Sequence, residues 1–552
     1  MDREQWEQKT EFLMIKRLKV LLFFMSALIL QISNKVLAQS EYLPLDQRLN
    51  FSIGREVNSL SSQAHTSLQP YELQRLGVLM TYDSVLAFGR DYTYGGKSWL
   101  ERKIFSEHLL DLKTDDYRLS FDFLPDVGLG YDLIDDRMTW LNTRAFEFAG
   151  SIGKDFSFRT QYFESVAKFP LYIDKFIQKT FIIPGQGYKR YYGPTDYEYG
   201  YSVGTISYSP SKYLNIQLGQ DKNFIGDGYR SMLLSDLAFN YPFLKLTAYV
   251  WDLQYSIMWA QFQEPKPGGM NDREFWSKKY GVFHYLDWNL TNRFTIGLFE
   301  EVTWKVVDSI YGYRGFELHY LNPLIFFRPI EYSMGSPDKM KIAINVKVKI
   351  SENIISYGQI LIDEMVISEY VHNRGFWANK NALQFGVKVF DTFNIRNLSL
   401  LSELNTASPY TYSHWDPLTN YGHYEQPLAH PLGANFYEWV TIANYQTDRF
   451  EMRAQFNVAR YGDDSTGVNF GKDIYKPYTT RYRNYGNYTT QGIKTDLFIA
   501  DLRLAYVLNP LINLRIELGV LHRNRVSDLS SEKSTWITLG IRSSFRNIYY
   551  DF

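Results

Sequence analysis

The sequence predicts an all-β protein, a transmembrane antiparallel β-barrel of about sixteen to eighteen strands with short helical additions. Three observations predict it: an export signal near the amino terminus, segments in which apolar and polar residues alternate, and an aromatic residue, Phe552, ending a strand-like segment. Residues 1–38 are predicted to be a signal peptide, residues 39–116 an N-terminal segment with a helix, and residues 117–552 the barrel. Such a protein is expected in the outer membrane of a Gram-negative cell.

The export signal begins after an acidic stretch that does not suit a signal peptide, so Met14 is an alternative start. The segment from Met14 to Lys19 carries three basic residues, and Val20 to Ile32 form an apolar stretch. That stretch is shorter than the roughly 20 residues that a membrane-spanning helix requires, which favours cleavage over anchoring. Cleavage is expected after Ala38, because small and β-branched side chains precede that bond.

Composition excludes several classes of function. The 552 residues contain no cysteine, so the exported chain has no disulfide, no Cys-ligated zinc and no lipidated cysteine. The 59 basic and 60 acidic residues nearly cancel, which gives no support for nucleic-acid binding. Aromatic residues make up 17% of the chain, a composition that suits interfacial aromatic girdles around a barrel with a polar interior.

Strands are predicted by a two-residue period. From Lys341 to Ile350, isoleucine and valine alternate with lysine, asparagine and alanine, so one face can meet lipid and the other water. The pattern returns in Phe450 to Val458, Leu511 to Val520, Phe156 to Tyr162 and Ile537 to Arg542. A soluble β-sandwich would also alternate, but the strand length of about ten residues favours a membrane barrel.

Turn residues mark the connections between these strands. Gly153 to Asp155 and Leu508 to Pro510 predict short reversals of the chain. Longer segments rich in Gly, Pro, Asp, Asn, Ser and Tyr are predicted to be loops, at Glu264 to Arg273, Gly462 to Tyr488 and Arg523 to Lys533. Long loops are expected on the outer side of a membrane barrel.

Two segments interrupt the strand pattern with helical spacing. Ser98 and Glu101 form the pattern of a capping box, which predicts an amphipathic helix from Ser98 to Leu112. A second helix is predicted from Pro170 to Phe181, and Pro184 and Gly185 prevent it from continuing. These helices either pack against the barrel or cover one of its openings.

A glycine-punctuated segment in the middle of the chain carries a cluster of charged and polar residues. Gly226 and Gly228 permit a tight backbone path there, but the segment lacks the lysine and the strand-to-helix context of a phosphate loop. Buried charges need partners, so a structural polar network inside the barrel is predicted. Its members are Asp221, Lys222, Asn223, Asp227, Arg230 and Asp236.

The segment from Tyr410 to His430 mixes aromatic rings with neutral hydrogen-bonding groups. Such a composition can stack on sugar rings and bind their hydroxyls, and it is also typical of loops that pack at the membrane rim. The candidate glycan contacts are Tyr410, Tyr412, His414, Trp415, Tyr421, His423, Tyr424 and Gln426. The histidines of this segment follow no known zinc spacing, and no Gly-x-Ser-x-Gly elbow is present, so no metal, cofactor or catalytic residue is predicted.

Several motifs resemble the Wzi-like capsule-assembly family of outer-membrane proteins, in the Bacteroidetes branch that includes the gliding-motility protein RemB. The resemblance extends from about His65 to Phe552. The motifs are Gly219–Ala238, Asn240–Leu246, Phe283–Leu286, Gly297–Trp304, His319–Pro323, Phe327–Glu331 and Tyr421–Asn435.

The resemblance implies an eighteen-stranded barrel and a non-enzymatic role. Capsule-assembly members of the family tether polysaccharide at the cell surface, so the leading hypothesis is a barrel, held in outer-membrane lipid, that binds or organises capsular or exopolysaccharide. The motility branch implies the alternative, an accessory component of the gliding or protein-secretion machinery that is held by protein partners. A diffusion pore is the second alternative. No sugar-contacting residue of the family matches a position in this chain securely.

Overall fold

The computed structural model of the protein describes residues 41–77, 81–88, 98–191, 195–265, 276–308, 312–325 and 338–552. The predicted signal peptide, most of the predicted loop from Glu264 to Arg273, and the Phe327–Glu331 motif lie outside these residues. Among the described helices, none is long and apolar enough to cross a membrane.

The described residues form a closed antiparallel β-barrel of eighteen strands, which confirms the predicted fold class. The first strand is interrupted at Leu124 and Pro125 and therefore has two parts. The strands are β1 (Tyr117–Phe123 and Asp126–Asp132), β2 (Arg137–Ile152), β3 (Phe156–Lys168), β4 (Tyr197–Ser211), β5 (Leu214–Asp221), β6 (Tyr241–Val250), β7 (Leu253–Glu264), β8 (Ser277–Asn289), β9 (Phe294–Lys305), β10 (Lys339–Ser351), β11 (Ile354–Glu364), β12 (Lys380–Val389), β13 (Leu398–Ala407), β14 (Phe436–Thr447), β15 (Phe450–Asp463), β16 (Ile493–Asn509), β17 (Leu514–Ser527) and β18 (Ser531–Arg542).

The barrel closes between its first and last strands. Residues Trp536 to Ile541 of β18 pair with the second part of β1, from Val127 to Asp132. The first part of β1 pairs instead with a short strand, Leu110–Lys113, which precedes it in the chain. Both parts of β1 pair with β2 on the other side, so the sheet is continuous at the seam.

The predicted two-residue period matches the two faces of the wall. In β10 the side chains of Lys341, Lys347 and Lys349 are buried on the inner face. Ile342 and Ile344 of the same strand point outward and are 45% and 42% exposed. The same alternation around the barrel gives an outer belt of exposed apolar side chains and a polar inner face, as in barrels that span a bilayer.

The two ends of the barrel differ in the length of the connections between strands. At one end, the short-turn end, the strands are joined by connections such as residues 153–155, 251–252 and 448–449. At the other, the long-loop end, connections such as residues 365–379, 408–435 and 464–492 are much longer. The predicted turn at Gly153–Asp155 and the predicted loop from Gly462 are therefore confirmed.

Two predicted boundaries near the carboxyl terminus are wrong. The segment from Arg523 to Lys533 is not a loop, because β17 and β18 continue through most of it and only residues 528–530 turn. The strand predicted from Leu511 begins at Leu514, after a single helical turn over Pro510–Ile512. Proline at the first position of that turn cannot donate a strand hydrogen bond, which explains the later start.

Five short helices accompany the strands in the described part of the chain. The capping box predicted at Ser98 is present, but its helix ends at Phe105, seven residues before the predicted end, and the short strand Leu110–Lys113 follows. The helix predicted after Pro170 is confirmed. The helices are α1 (Gln47–Val57), α2 (Tyr82–Leu86), α3 (Trp99–Phe105), α4 (Leu171–Thr180) and α5 (Ile367–Val371).

Four segments fill the interior of the barrel. We call them the N-terminal plug (residues 41–77), the infolded loop (residues 222–240), the aromatic loop (residues 408–435) and the C-terminal tail (residues 543–552). The N-terminal plug and the infolded loop pair as a two-stranded sheet through Leu68–Gln69 and Phe224–Ile225. The infolded loop contacts inner-face residues on opposite walls, from Lys245 of β6 to Glu438 of β14. The lumen is therefore packed with protein.

The C-terminal tail does not form the lipid-facing strand end that Phe552 suggested. The last strand ends at Arg542, and residues 543–552 turn into the lumen. There the ring of Phe552 lies 5.1 Å from that of Phe176 on α4, and the main-chain oxygen of Phe552 accepts a hydrogen bond from the inward-facing Arg523 at 3.0 Å. In the sequence, apolar residues have one parity at Ile537, Leu539 and Ile541 and the other at Ile548, Tyr550 and Phe552, which predicts a bulge or a break between the two sets. The structure shows a break, because the chain leaves the sheet after Arg542.

Candidate functional site

The infolded loop is the hub of the luminal packing, and Asp227 holds one side of it. Its carboxylate accepts hydrogen bonds from the hydroxyls of Thr66 and Ser67 in the N-terminal plug, at 2.6 and 2.7 Å. Lys347 of β10 lies 3.9 Å away. Burial alone would raise the pKa of Asp227, but Lys347 and the two hydroxyls hold this pKa below its usual value. The carboxylate therefore links plug, loop and wall as an anion.

Arg230 holds the other side of the infolded loop. Its guanidinium lies 3.1 Å from a carboxylate oxygen of Glu438 on β14 and 2.8 Å from one of Asp551 in the C-terminal tail. All three side chains are buried. The backbone N–H groups of Tyr229 and Arg230 donate to Glu403 of β13 at 2.9 and 3.1 Å. One cation thus joins the loop, the wall and the tail.

The remaining polar residues of the predicted network lie along the same loop. Asp236 accepts hydrogen bonds from the hydroxyl of Tyr549 at 2.7 Å and from the side-chain amide of Asn547 at 2.8 Å. The ammonium of Lys222 donates to the carbonyl oxygen of Asp236 at 2.9 Å, and Asn223 accepts from Lys245 at 2.8 Å. Asp221, the last residue of β5, accepts from the backbone N–H of Lys222 at 2.8 Å.

The aromatic loop packs against the infolded loop from the long-loop end. The rings of Tyr412 and Tyr421 are stacked, with centroids 5.7 Å apart, and both side chains are fully enclosed. Their hydroxyls donate to the carbonyl oxygens of Met232 and Leu233. The ammonium of Lys341 lies 4.3 Å above the ring of Tyr421. These tyrosines therefore bind the backbone of the infolded loop.

Three further candidate glycan contacts are also buried. His423 accepts from the backbone N–H of Gln263 at 3.0 Å, and burial lowers its pKa to about 3, so its ring is neutral. The ring of Tyr424 lies 4.5 Å from that of Phe239. The side-chain oxygen of Gln426 accepts from the backbone N–H of Gly185, at 2.9 Å.

The other three candidates lie beneath the loop of residues 464–492. Tyr410 is buried, and its hydroxyl donates to the carbonyl oxygen of Asn469 at 3.0 Å. His414 is buried against Thr419 and the edge of Tyr478. Trp415 is half-buried, with the ammonium of Lys305 5.4 Å from its ring centroid. Together the eight predicted residues form one packed layer rather than an exposed surface.

The three histidines of the aromatic loop do not come together as a metal site. His414, His423 and His430 each bind different protein partners, and His430 pairs with Glu438 at 2.6 Å. Among the residues that the structure describes, no group of three His, Asp or Glu side chains is arranged to hold a metal ion.

An exposed surface of aromatic and basic residues lies above the aromatic loop, and sequence reasoning did not single it out. We call it the aromatic–arginine rim: Arg374, Phe376, Trp377, Tyr478, Arg481, Tyr482, Arg483, Tyr485 and Tyr488. The rim is formed by the loops of residues 365–379 and 464–492, which are joined by two backbone hydrogen bonds. The N–H of Trp377 donates to the carbonyl oxygen of Asn484 at 3.0 Å, and the N–H of Gly486 donates to that of Arg374 at 2.8 Å. The signal that could have found it is the Arg-Tyr-Arg-Asn-Tyr run from residue 481 to residue 485.

The rim presents exposed aromatic side chains beside guanidinium groups. Tyr482, Tyr485 and Tyr488 are 55%, 48% and 60% exposed. The guanidinium of Arg481 lies 4.3 Å from the ring centroid of Trp377, and arginines also lie over Tyr482 and Tyr485 at 5.4 Å. Such rings offer apolar faces for stacking, and the arginines offer fixed donors for oxygen atoms of a ligand.

Comparisons with solved structures show that the closed β-barrel fold is shared with Wzi, a known outer-membrane protein. No family model matches the sequence, and no curated protein matches it. Among solved structures, Wzi of Escherichia coli is similar over 91% of this chain and 99% of its own, with a TM-score of 0.53 and 12% sequence identity. It is described as an outer-membrane protein involved in group 1 capsule assembly and as a carbohydrate-binding β-barrel.

Two Pseudomonas aeruginosa barrels are more distant. OprD covers 77% of this chain and 94% of its own at a TM-score of 0.39 and 9% identity. OccK5 (OpdH) covers 77% and 97% at a TM-score of 0.42 and 9% identity. At these identities the comparisons establish the barrel fold shared with Wzi, and the function has to be argued from this chain's own residues.

Proposed function

We propose that this protein is a non-enzymatic outer-membrane β-barrel that binds or organises surface polysaccharide through the aromatic–arginine rim. The observation that carries the proposal is the combination of a packed lumen with an exposed rim at the long-loop end. Long loops of bacterial outer-membrane barrels face the outside of the cell, where surface polysaccharide lies. The fold shared with the carbohydrate-binding barrel Wzi supports the same assignment.

The rim suits a polyhydroxylated and acidic chain. Tyr482, Tyr485 and Tyr488 each leave about half of the side chain exposed, and this aromatic surface can pack against sugar rings. Arg481 and Arg483 are held over neighbouring rings, and guanidinium groups bind carboxylates in a bidentate fashion. The buried residues of the aromatic loop support this surface from below, which changes their proposed role from direct glycan contact to positioning.

The packed lumen argues against a diffusion pore. The N-terminal plug, the infolded loop and the C-terminal tail are tied to one another through Asp227, Arg230 and Asp236. A pore requires an aqueous channel, and these buried contacts occupy the space that such a channel would need. A role in gliding or secretion stays a separate prediction, distinguished by phenotype.

Binding of polysaccharide isolated from the producing cells to the purified protein tests the proposal. The double change Tyr482→Ala and Tyr485→Ala removes two exposed rings and is expected to weaken binding by about tenfold or more. The matched control is Trp251→Ala, because Trp251 is 93% exposed in a turn at the opposite end. Equal binding by the double variant and the control would refute the rim as the site.

Deletion of the gene tests the role in cells. Loss of the protein is expected to lower cell-bound polysaccharide and raise released polysaccharide while surface motility is unchanged. Loss of motility with unchanged polysaccharide retention would favour the gliding or secretion alternative instead. If all three quantities match the wild type, both hypotheses fail.

A further inference from the structure

A cavity lined by arginines lies inside the barrel, in the half that adjoins the short-turn end. Its volume is about 110 Å³, which is room for one small anion or a few water molecules. The N-terminal plug, the barrel wall and the C-terminal tail all contribute to its lining. We call it the arginine cavity; the arginines that line it are Arg48 on α1, Arg453 on β15, Arg503 on β16, Arg515 on β17, Arg542 on β18 and Arg546 in the tail.

Glu517 of β17 is the carboxylate that most of these arginines share. Guanidinium nitrogens of Arg48 and Arg515 lie 2.8 and 2.9 Å from its oxygens. Those of Arg542 and Arg503 lie 2.9 and 3.8 Å away. A carboxylate offers about four acceptor positions, and a single guanidinium already carries more N–H donors than that. Glu517 therefore cannot satisfy the arginines that surround it.

Other acidic residues near the arginine cavity do not make up the difference. Within the described chain, the carboxylates at ion-pair distance from the lining arginines are Asp126, Glu451, Asp501 and Glu517. Asp46 and Asp551 also line the cavity, but Asp46 accepts from backbone N–H groups in the first turn of α1, and Asp551 is bound to Arg230. The arginines of the cavity therefore outnumber the carboxylates that pair with them.

Arg453 is the member of this group with no ion-pair partner among the residues that the structure describes. Its Nη2 donates to the side-chain oxygens of Gln47 and Gln455 at 3.2 and 2.9 Å, and its Nε and Nη1 make no hydrogen bond to those residues. Arg515 is buried and, within the same part of the chain, donates through Nε and Nη1 but not through Nη2. Buried donors in proteins are paired with acceptors as a rule. A negatively charged acceptor inside the cavity satisfies both requirements.

We infer that the arginine cavity binds one small oxyanion of the phosphate or sulfate class. Guanidinium groups bind such oxyanions through paired N–H donors, which makes arginine the preferred residue for them. Arg48, Arg503 and Arg542 are partly exposed, so the anion reaches the cavity from water at the short-turn end. Because the arginines belong to the plug, the wall and the tail, one bound anion ties these three parts together. The inference does not rest on polysaccharide binding.

Calorimetric titration of the purified barrel with inorganic phosphate, in a buffer that contains no other oxyanion, tests the inference. One phosphate is expected to bind per chain, and sodium chloride at the same ionic strength is expected to give no comparable heat. Arg453→Gln is expected to weaken phosphate binding by about tenfold or more. This change leaves no carboxylate without its partner, so the variant is expected to fold. The matched control is Arg396→Gln, which removes an exposed arginine outside the cavity at the same end of the barrel and should bind phosphate as the wild type does.

Thermal unfolding gives an independent measurement of the same binding. Phosphate is expected to raise the unfolding temperature of the wild type and of Arg396→Gln, and to raise it less in Arg453→Gln. Heat-modifiable migration on gels shows whether each variant has folded. The inference is overturned by a wild type that gives no saturable heat with phosphate, which means that water alone fills the cavity. Equal heat from chloride, or an unchanged phosphate affinity in folded Arg453→Gln, would overturn it as well.

Discussion

Replacing Arg230 with methionine tests whether the luminal packing is a single locked unit. The side chain of Arg230 is 3% exposed, and its guanidinium neutralises the buried carboxylates of Glu438 and Asp551. Methionine has a similar length and no charge, so the change leaves two acidic groups in the lumen without their common partner. Breaking a buried ion pair in this way costs about 3–5 kcal/mol. We therefore expect the free energy of unfolding to fall by about that amount.

The assay is urea unfolding of the purified protein in lipid vesicles, followed by tryptophan fluorescence. The same variant is expected to show ion conductance in planar bilayers, because the C-terminal tail loses one of its main attachments. The wild type is expected to conduct little, since its lumen is packed.

The control is the triple variant Arg230→Met, Glu438→Gln and Asp551→Asn. It removes the cation together with both anions, so no buried charge is left without a partner and the loss of stability should be smaller than in the single variant. A single variant that loses less than about 1 kcal/mol, or a triple variant that loses as much as the single one, would refute the reasoning.

Three other expectations follow from particular residues. In Gly228→Ala, a Cβ atom would stand 2.2 Å from a carboxylate oxygen of Glu403, so thermal unfolding should occur at a lower temperature than in Gly128→Ala, whose nearest contact is 3.5 Å away. Because the pKa of His423 is lowered to about 3, below its unfolded value of about 6.5, stability should fall as the pH drops from 6.5 toward 3. In urea titrations, the free energy of unfolding should drop between pH 8 and pH 4 by about 2 kcal/mol or more less in His423→Gln than in the wild type. An unchanged pH profile would contradict this. Phe552→Ala should cost about 2 kcal/mol in the same unfolding assay, because its ring packs on α4 inside the barrel, whereas a lipid-facing ring would leave the luminal packing intact.

The barrel wall could be predicted from the sequence because its signal is local. Lys341 to Ile350 shows the period of the strand within ten residues, and the structure places its lysines inward and its isoleucines outward. The helix after Ser98 was predicted too long, since leucines at residues 109–112 fit a helical period as well as the strand that they form. Local patterns therefore gave the elements but left some of their ends open.

The C-terminal tail shows why the interior could not be predicted in the same way. Ile548, Tyr550 and Phe552 alternate as in a strand, but Tyr549 and Asp551 between them bind Asp236 and Arg230, which precede them by 313 and 321 residues. Nothing within ten residues of the tail indicates those partners. A local sequence pattern shows which face of a strand is apolar and which is polar. The packing of the lumen depends instead on contacts between segments that are distant in the sequence.

The aromatic loop presents a different difficulty, since the same side chains suit two roles. Tyrosine rings with free hydroxyls can stack on sugars or can enclose a backbone, and the composition of Tyr410 to His430 fits both. In the structure, the hydroxyls of Tyr412 and Tyr421 donate hydrogen bonds to carbonyl oxygens of the infolded loop. Beneath the rim, the hydroxyl of Tyr410 donates to the carbonyl oxygen of Asn469, and the backbone N–H of Tyr410 donates to the carbonyl oxygen of Gly471. The predicted residues therefore connect the infolded loop to the rim, because Tyr410 accepts a hydrogen bond from the backbone N–H of Tyr482 at 3.3 Å and His414 packs against Tyr478. The packing of the lumen and the geometry of the proposed glycan surface thus depend on one layer.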